Sequence, residues 1–293
     1  MKKNKLMLVM FLIVTCFTAC KKDNENPGQD TENLPKPKME NLEIGIGNNE
    51  LGVIGQDLHF NVDVLAGDKI DFVEAKIVQR DNETYKSKWN FTKKWEQYKG
   101  AKNTNIHSHF DIPLDAVEGI YDFFVIAHDE NGTKTEIKRK ITIWSKESLP
   151  INPTFYTFNV SLNGDFQAST IKKGQPIYMV SRIDYVKDDG KMYILLINKK
   201  HNHKPETIQA IDFSKAIVYD MREHKGMKNT GQTGNVDPLP SQFIIGTDKD
   251  PFGNPITGEK SWESGTYYAA IIYTNTTHNM SIFEYKEIKI EMN

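Results

Sequence analysis

Between residues 57 and 144, apolar and polar side chains alternate with a period of two, stretch after stretch, and no segment there sustains a helical period. Leu58, Phe60, Val62 and Val64 fall on one side of a strand, with His59, Asn61 and Asp63 on the other. Val73, Ala75 and Ile77 repeat the pattern, as do Ile106, Phe110 and Ile112, with His107, His109 and Asp111 opposite. Tyr121, Phe123, Val125 and Ala127 open a further strand after a corner at Pro113 to Gly119. Asn131-Gly132 is a hairpin signal because both residues tolerate positive φ, and Ile137, Ile141 and Ile143 mark the return. Short strands between turns mean an all-β sandwich. Gly119-Ile120-Tyr121, before a penultimate strand, is similar to the tyrosine corner of immunoglobulin-like folds, so residues 41–147 are expected to form an immunoglobulin-like domain.

Pro150 and Pro153 bracket a short connection, and residues 148–293 again read as strands: 155–160, 176–185, 191–198, 216–221, 242–245, 267–274 and 280–292. Asn163-Gly164 and Asp188-Asp189-Gly190 are turn signals. Gly265-Thr266-Tyr267 repeats the corner, again followed by an apolar strand, a turn and a last strand. Two tandem immunoglobulin-like β-sandwiches are therefore expected. Two long loops, His224 to Pro240 and Thr247 to Lys260, interrupt the second, and loops at a sandwich end are where partners are held.

Ahead of both lies a different composition. Lys2, Lys3 and Lys5 precede an apolar run from Leu6 to Phe17, which Thr18-Ala19-Cys20 closes. Positive head, short apolar middle and small-residue exit predict a signal peptide over residues 1–19. The run is too short for the roughly 20 residues of a membrane-spanning helix. The closing residues resemble the lipobox of bacterial lipoproteins, with Phe17 where Leu or Val is usual, and this resemblance implies lipidation of Cys20. Three acyl chains, at roughly 0.8 kcal/mol per buried methylene, anchor stably in a bilayer. Residues 20–40 then read as a lipidated Cys and solvated tether, rich in charge and proline. The Lys-then-acid start, Lys21-Lys22-Asp23, resembles the surface-export signal of Bacteroidetes lipoproteins; a generic linker is the alternative. The expected location is the cell outer membrane, lipid-anchored and facing either the surface or the periplasm. Losing the leader's three lysines takes the formal net charge from −2 to −5, which argues against a nucleic-acid partner. Cys16 and Cys20 are the only cysteines, so the mature chain must stand on apolar cores without a disulfide.

A longer set of residues carries a second resemblance: Asp57-Leu58-His59, Gly100-Ala101-Lys102-Asn103-Thr104, His107-Ser108-His109-Phe110-Asp111-Ile112-Pro113, Asp115-Ala116, Gly119-Ile120-Tyr121 and Asp129-Glu130-Asn131-Gly132. It resembles a family of Bacteroidetes surface-lipoprotein domains, numbered four-six-two-five among domains of unknown function. The His-x-His-x-x-Ile-Pro run is its specific part. Members often carry His directly after the corner tyrosine, where this chain has Asp122. The resemblance covers about residues 41–144 and implies fold and location, with no chemistry to carry over.

The histidines are the one constellation with metal chemistry. Positions i and i+2 of a strand project to one side, so His107 and His109 are neighbours about 7 Å apart at their bases. Two imidazoles at that spacing can close on one ion at about 2.0–2.1 Å each. His59 could join from another strand, and Asp111 or Asp122 could supply an oxygen or orient an imidazole. Imidazole-rich sites favour zinc, copper or nickel over calcium, and zinc or copper is the cofactor expected. The alternative is a solvated outer face on which both histidines titrate freely.

Three weaker patterns complete the candidates. Trp95 and Tyr98, among lysines, could form an exposed platform for sugar rings or a partner protein, whereas Trp89 and Phe91 alternate as core residues would. Asp248, Asp250 and Glu259 have a spacing like that of a calcium loop, although Phe252 takes a ligand position and the flanks read as strands. His201-Asn202-His203, among lysines, reads as a solvated basic loop. The chain has no nucleophile elbow, no His-Glu-x-x-His and no phosphate-cradling glycine loop. The expectation is a non-catalytic envelope module, capturing a transition metal, a glycan or a neighbouring transport protein, with a purely architectural spacer as the other class.

Overall fold

The computed structural model describes residues 33–228 and 243–293, all of them strand, turn or short 3-10 segments. The leader, Cys20, the tether up to residue 32 and most of the loop expected at His224 to Pro240 lie outside the described residues. Eight strands build the first half: β1 (Lys38–Ile44), β2 (Leu51–Val53), β3 (Asp57–Leu65), β4 (Ile70–Gln79), β5 (Asn90–Trp95), β6 (Asn103–Asp111), β7 (Gly119–Asp129) and β8 (Lys134–Trp144). Eight more build the second: β9 (Thr154–Leu162), β10 (Thr170–Lys172), β11 (Pro176–Asp184), β12 (Asp188–Asn198), β13 (Ala216–Met227), β14 (Phe243–Ile244), β15 (Gly265–Asn275) and β16 (Met280–Glu291).

The first sandwich pairs a sheet of order β1-β3-β6 with one of order β2-β8-β7-β4-β5. Adding eight to each label gives the second sandwich, β9-β11-β14 and β10-β16-β15-β12-β13. Even the parallel pairing recurs, β2 with β8 and β10 with β16. The two halves are thus one topology used twice, which a shared corner motif alone could only suggest. Both corners close alike: Tyr121 donates its hydroxyl to the Val117 carbonyl at 2.6 Å, and Tyr267 donates to the Glu263 carbonyl at 3.1 Å.

Alternation fixes the first core. Leu58, Phe60, Val62 and Val64 of β3 face Val73, Ala75 and Ile77 of β4 and Tyr121, Phe123, Val125 and Ala127 of β7. At the first-to-second strand entrance, the tether expected to reach residue 40 ends sooner. The Pro35 carbonyl accepts from Asn131 Nδ2 and Thr133 Oγ1, and the Pro37 carbonyl from Thr135 Oγ1, so the chain is already bound to the β7–β8 hairpin when β1 starts at Lys38.

In the second sandwich β12 and β15 are apolar on both faces. One face joins the core, and on the other Leu195, Ile197, Val218, Ala270 and Ile272 form a separate cluster. The connection of residues 199–215 lies over that outer face, with Ile211 buried in it and Ile208 packed against it. Two segments differ from the sequence reading. Asp188 to Gly190 opens β12 rather than forming a free turn: Asp188 takes φ +56°, tolerable for a short polar side chain, and the pairing slips by a bulge there. β13 continues past Met221 to Met227 because that extended start of β12 gives it a partner, Gly190 opposite His224. Among the described residues no helix is long and apolar enough to cross a membrane.

Candidate metal centre

β3 and β6 run antiparallel, with His59 directly opposite His109 and Asn61 opposite His107. The period of two puts all three imidazoles on the outer face of the β1-β3-β6 sheet. Their ring centroids form a nearly equilateral triangle, 5.0 Å, 5.1 Å and 5.4 Å on a side. A residue on such a face should be wet, yet His59 is only 6% exposed. What covers it is the 199–215 connection of the second sandwich, which brings Glu206 Oε2 to 3.1 Å from His59 Nδ1.

That connection is held from behind. Tyr285 on β16 donates its hydroxyl to the Pro205 carbonyl, Ile208 N–H donates to Thr274 Oγ1 on β15, and Thr207 Oγ1 caps the following turn through Ala210 N–H. From the other side Gly47, at φ +64°, leaves room for it: a Cβ there would stand 2.6 Å from Thr207 Cγ2. Glu206 is therefore aimed by packing on its own sandwich.

His59, His107, His109 and Glu206 each offer one donor atom, and these atoms all lie within 4.8 Å of one another. Donors at about 2.0–2.1 Å from a tetrahedral zinc stand about 3.3 Å apart, so modest inward motion of exposed rings completes a coordination sphere. Among the described residues neither ring nitrogen of His59 finds a hydrogen bond of acceptable geometry. Its neighbours, Glu206 at 3.1 Å and Glu43 at 3.4 Å from Nε2, lie within ion-pair range but off the line of the ring N–H. A buried imidazole left without a proper partner costs about 1–3 kcal/mol, and a cation lying among the donors removes that cost.

Supporting carboxylates stand where a metal site needs them. His109 Nδ1–H donates to Asp57 Oδ2 at 2.5 Å, which fixes its tautomer and leaves Nε2 as the free donor. Glu43 lies 3.4 Å from the second nitrogen of His59, a charge contact without a hydrogen bond. Burial pulls the His59 pKa down, but the Glu206 and Glu43 carboxylates outweigh it and hold the pKa above the ordinary 6.5. Burial likewise pushes Glu206 up, and the three imidazoles, His59 foremost, bring it below the ordinary 4.5. An open cavity of about 280 Å³ reaches the centre from solvent, with Glu43, His107, Lys204 and Glu206 in its wall. His203 lines it too, but its Nε2 accepts the Asp212 N–H at 3.0 Å, and burial lowers its pKa.

The other candidates fall elsewhere. Asp122 sits on β7 in the opposite sheet, bound to Arg80 at 3.2 Å and Lys138 at 2.7 Å, and is no part of the centre. Asp111 shares the histidine face at the end of β6, one step past His109, and the orienting role expected of it falls to Asp57 across the pair. Trp95 is not an exposed platform: it is 3% exposed, stacked on Phe60 at 4.9 Å, with Nε1–H donating to Ser108 Oγ at 3.3 Å. Tyr98 packs half-buried against the same core. In the calcium-like loop, the Asp250 carboxylate accepts from the Phe252 and Asn254 backbone N–H groups and the Asn254 side chain. Asp248 and Glu259 are exposed, and the three do not gather, because Asp250 is committed to shaping its own turn.

Residues 18–144 match the family model of a domain of unknown function (DUF4625). No curated protein matches the chain. Among solved structures, the crystal structure of dimeric latent PorU from Porphyromonas gingivalis is similar at a TM-score of 0.31 and 10% identity, over 92% of this chain and 21% of that one. The chain thus spans about a fifth of that protein's length.

Proposed function

We propose, from a first sandwich that belongs to the domain family of unknown function 4625, that this protein is a lipid-anchored envelope lipoprotein that captures a transition-metal ion, zinc or copper, without catalysing a reaction. The observation that carries this reading is the gathering of His107, His109 and Glu206 around the buried imidazole of His59, which has no hydrogen-bond partner among the described residues. Three nitrogens and one carboxylate suit zinc or copper and not calcium. Four protein donors fill a tetrahedral zinc, which leaves no position for a substrate and supports holding over catalysis. The leader pattern and the small residues before Cys20 support the anchor and the outer-membrane location.

Calorimetric titration of zinc and of copper into the mature chain tests the capture role. One ion per chain is expected for the wild type, with at least a 100-fold weaker fit for H107A/H109A; equal uptake by both, or none by the wild type, ends the reading. Palmitate incorporation lost in Cys20→Ala tests the anchor.

One observation favours glycan capture as a second reading. On the outer face of the second sandwich, Tyr193, Phe213 and Phe252 line an open groove of about 630 Å³ with Asn254, Glu259 and Lys260 at its rim. Aromatic rings beside polar groups can stack on sugars. Quenching of intrinsic fluorescence by envelope polysaccharide, lost in Tyr193→Ala, checks it.

A further inference from the structure

The four donors of the metal centre do not come from one sandwich. His59, His107 and His109 stand on β3 and β6 of the first, and Glu206 stands on the β12–β13 connection of the second. We infer that the ion is a bolt between the sandwiches: its binding fixes the angle between them, and its loss lets that angle vary. This rests on the metal-capture reading and adds a mechanical consequence to it.

The rest of the boundary is what makes the ion decisive. Among the described residues, none of the three apolar clusters spans both sandwiches; one lies wholly within the first and two within the second. Between them lies a gap of about 190 Å³, bordered by Leu51, Val53 and Leu58 on one side and Leu149, Pro153 and Ile282 on the other. A direct hydrogen bond crosses nearby, from Asn49 Nδ2 to the Asn279 carbonyl at 3.1 Å, and it is exposed. The covalent connection runs from Trp144 to Thr154 and holds no strand. A single exposed hydrogen bond is weak, and interdomain contacts of this kind leave relative motion as the default. Coordinate bonds would reach the ion from both sides, so the sandwiches could not part while it is bound without giving up the Glu206 donor. Each half-site is rigid: the histidines lie on paired strands, and Glu206 is backed by Tyr285, Thr274 and the buried Ile211. Fixed half-sites transmit a change in their separation to whole sandwiches.

The test measures the inter-sandwich distance directly. In a full mature chain carrying Cys20→Ser, Asn82→Cys on the first sandwich and Thr257→Cys on the second, both exposed, take nitroxide labels. Their distance distribution is read by pulsed electron resonance with and without one equivalent of zinc, which is d10 and adds no unpaired electron. Zinc is expected to narrow a broad distribution to a single peak. Glu206→Ala is expected to keep the circular-dichroism signature of both folded sandwiches, to bind zinc at least about 10-fold more weakly through its three imidazoles, and at saturation to leave the distribution broad. Zinc binding by the wild type with no narrowing, or equal narrowing in Glu206→Ala, overturns the bolt while leaving capture intact. Failure of the wild type to bind zinc overturns both.

Discussion

His59 of the first sandwich and Glu206 of the second face each other at 3.1 Å although 147 residues apart in sequence. Strand β3 makes the position of His59 rigid, and the covered outer face of the β12–β15 sheet makes that of Glu206 rigid. Their meeting strips water from one imidazole of a polar strand face and sets a carboxylate beside it.

This pair predicts opposite pH responses with and without metal. His59 has a raised pKa, so its contribution to the metal-free protein is full below 6.5 and is lost as pH rises through the raised value. Glu206 has a lowered pKa, so its contribution is present above 4.5 and is lost as pH falls through the lowered value. Both overlap between about pH 4.5 and 6.5. Chelator-treated wild type should exceed Glu206→Gln in thermal stability most in that window, and the excess should fade as pH rises through the raised His59 value. Zinc competes with protons for the same imidazoles, so the stabilisation it adds should instead grow with pH. A pH-independent gap between wild type and Glu206→Gln would remove the ion pair.

Asp57 predicts a separate effect, on affinity alone. Its carboxylate accepts from His109 Nδ1–H at 2.5 Å and reaches no donor position itself. Asp57→Asn should keep the fold and one-to-one stoichiometry while weakening zinc by about 10–100-fold, the usual effect of losing a supporting carboxylate. Isothermal titration at constant pH reads it. Unchanged affinity would show that His109 is not a ligand.

Much of this molecule could be read before its structure. The apolar members of β3, β4 and β7 alternate cleanly, and the Gly-x-Tyr corners announced both penultimate strands. His59, His107 and His109 could be grouped because strand periodicity is local and places neighbours two apart on one side. Glu206 could not, since it enters from a loop whose position depends on Ile208, Ile211 and Tyr285 packing on another sandwich, a long-range relationship with no local signature. The double apolar faces of Leu195-Leu196-Ile197 and Ala269-Ala270-Ile271 were the available hint that something covers the second sheet. Trp95 misled for a simpler reason. Trp89, Phe91, Lys93 and Trp95 share one face of the β5 edge, and the lysine interrupts the apolar pattern although the backbone alternation continues through it.

Trp95 consequently belongs among the stability determinants. Truncation to Ala removes a ring stacked on Phe60 and set edge-on to Phe110 and should cost about 3–5 kcal/mol in urea unfolding. Trp95→Phe keeps much of the packing and gives up the bond to Ser108, so about 1–2 kcal/mol is expected. Polysaccharide binding should be unaffected by either at temperatures where the variants remain folded. A Trp95→Ala loss under 1 kcal/mol would contradict its burial.

The two corners permit a paired comparison within one chain. Tyr121 gives one hydrogen bond, to the Val117 carbonyl, and its ring is fully buried, which pushes its pKa up to about 12. Tyr267 donates to the Glu263 carbonyl and also accepts the Glu263 N–H, both at 3.1 Å. Tyr→Phe removes only the hydroxyl, so the ring packing cancels and the difference reports the bonds. Loss of one net hydrogen bond costs about 0.5–1.5 kcal/mol, and each backbone group left unpaired adds to it. Tyr121→Phe should therefore cost about 1 kcal/mol and Tyr267→Phe about 1–3 kcal/mol, the latter stranding a donor and an acceptor together. Hydrogen exchange at the Glu263 amide separates the explanations. It should speed up in Tyr267→Phe and stay unchanged in Tyr121→Phe, and protection retained in Tyr267→Phe would show that the phenol does not hold that amide.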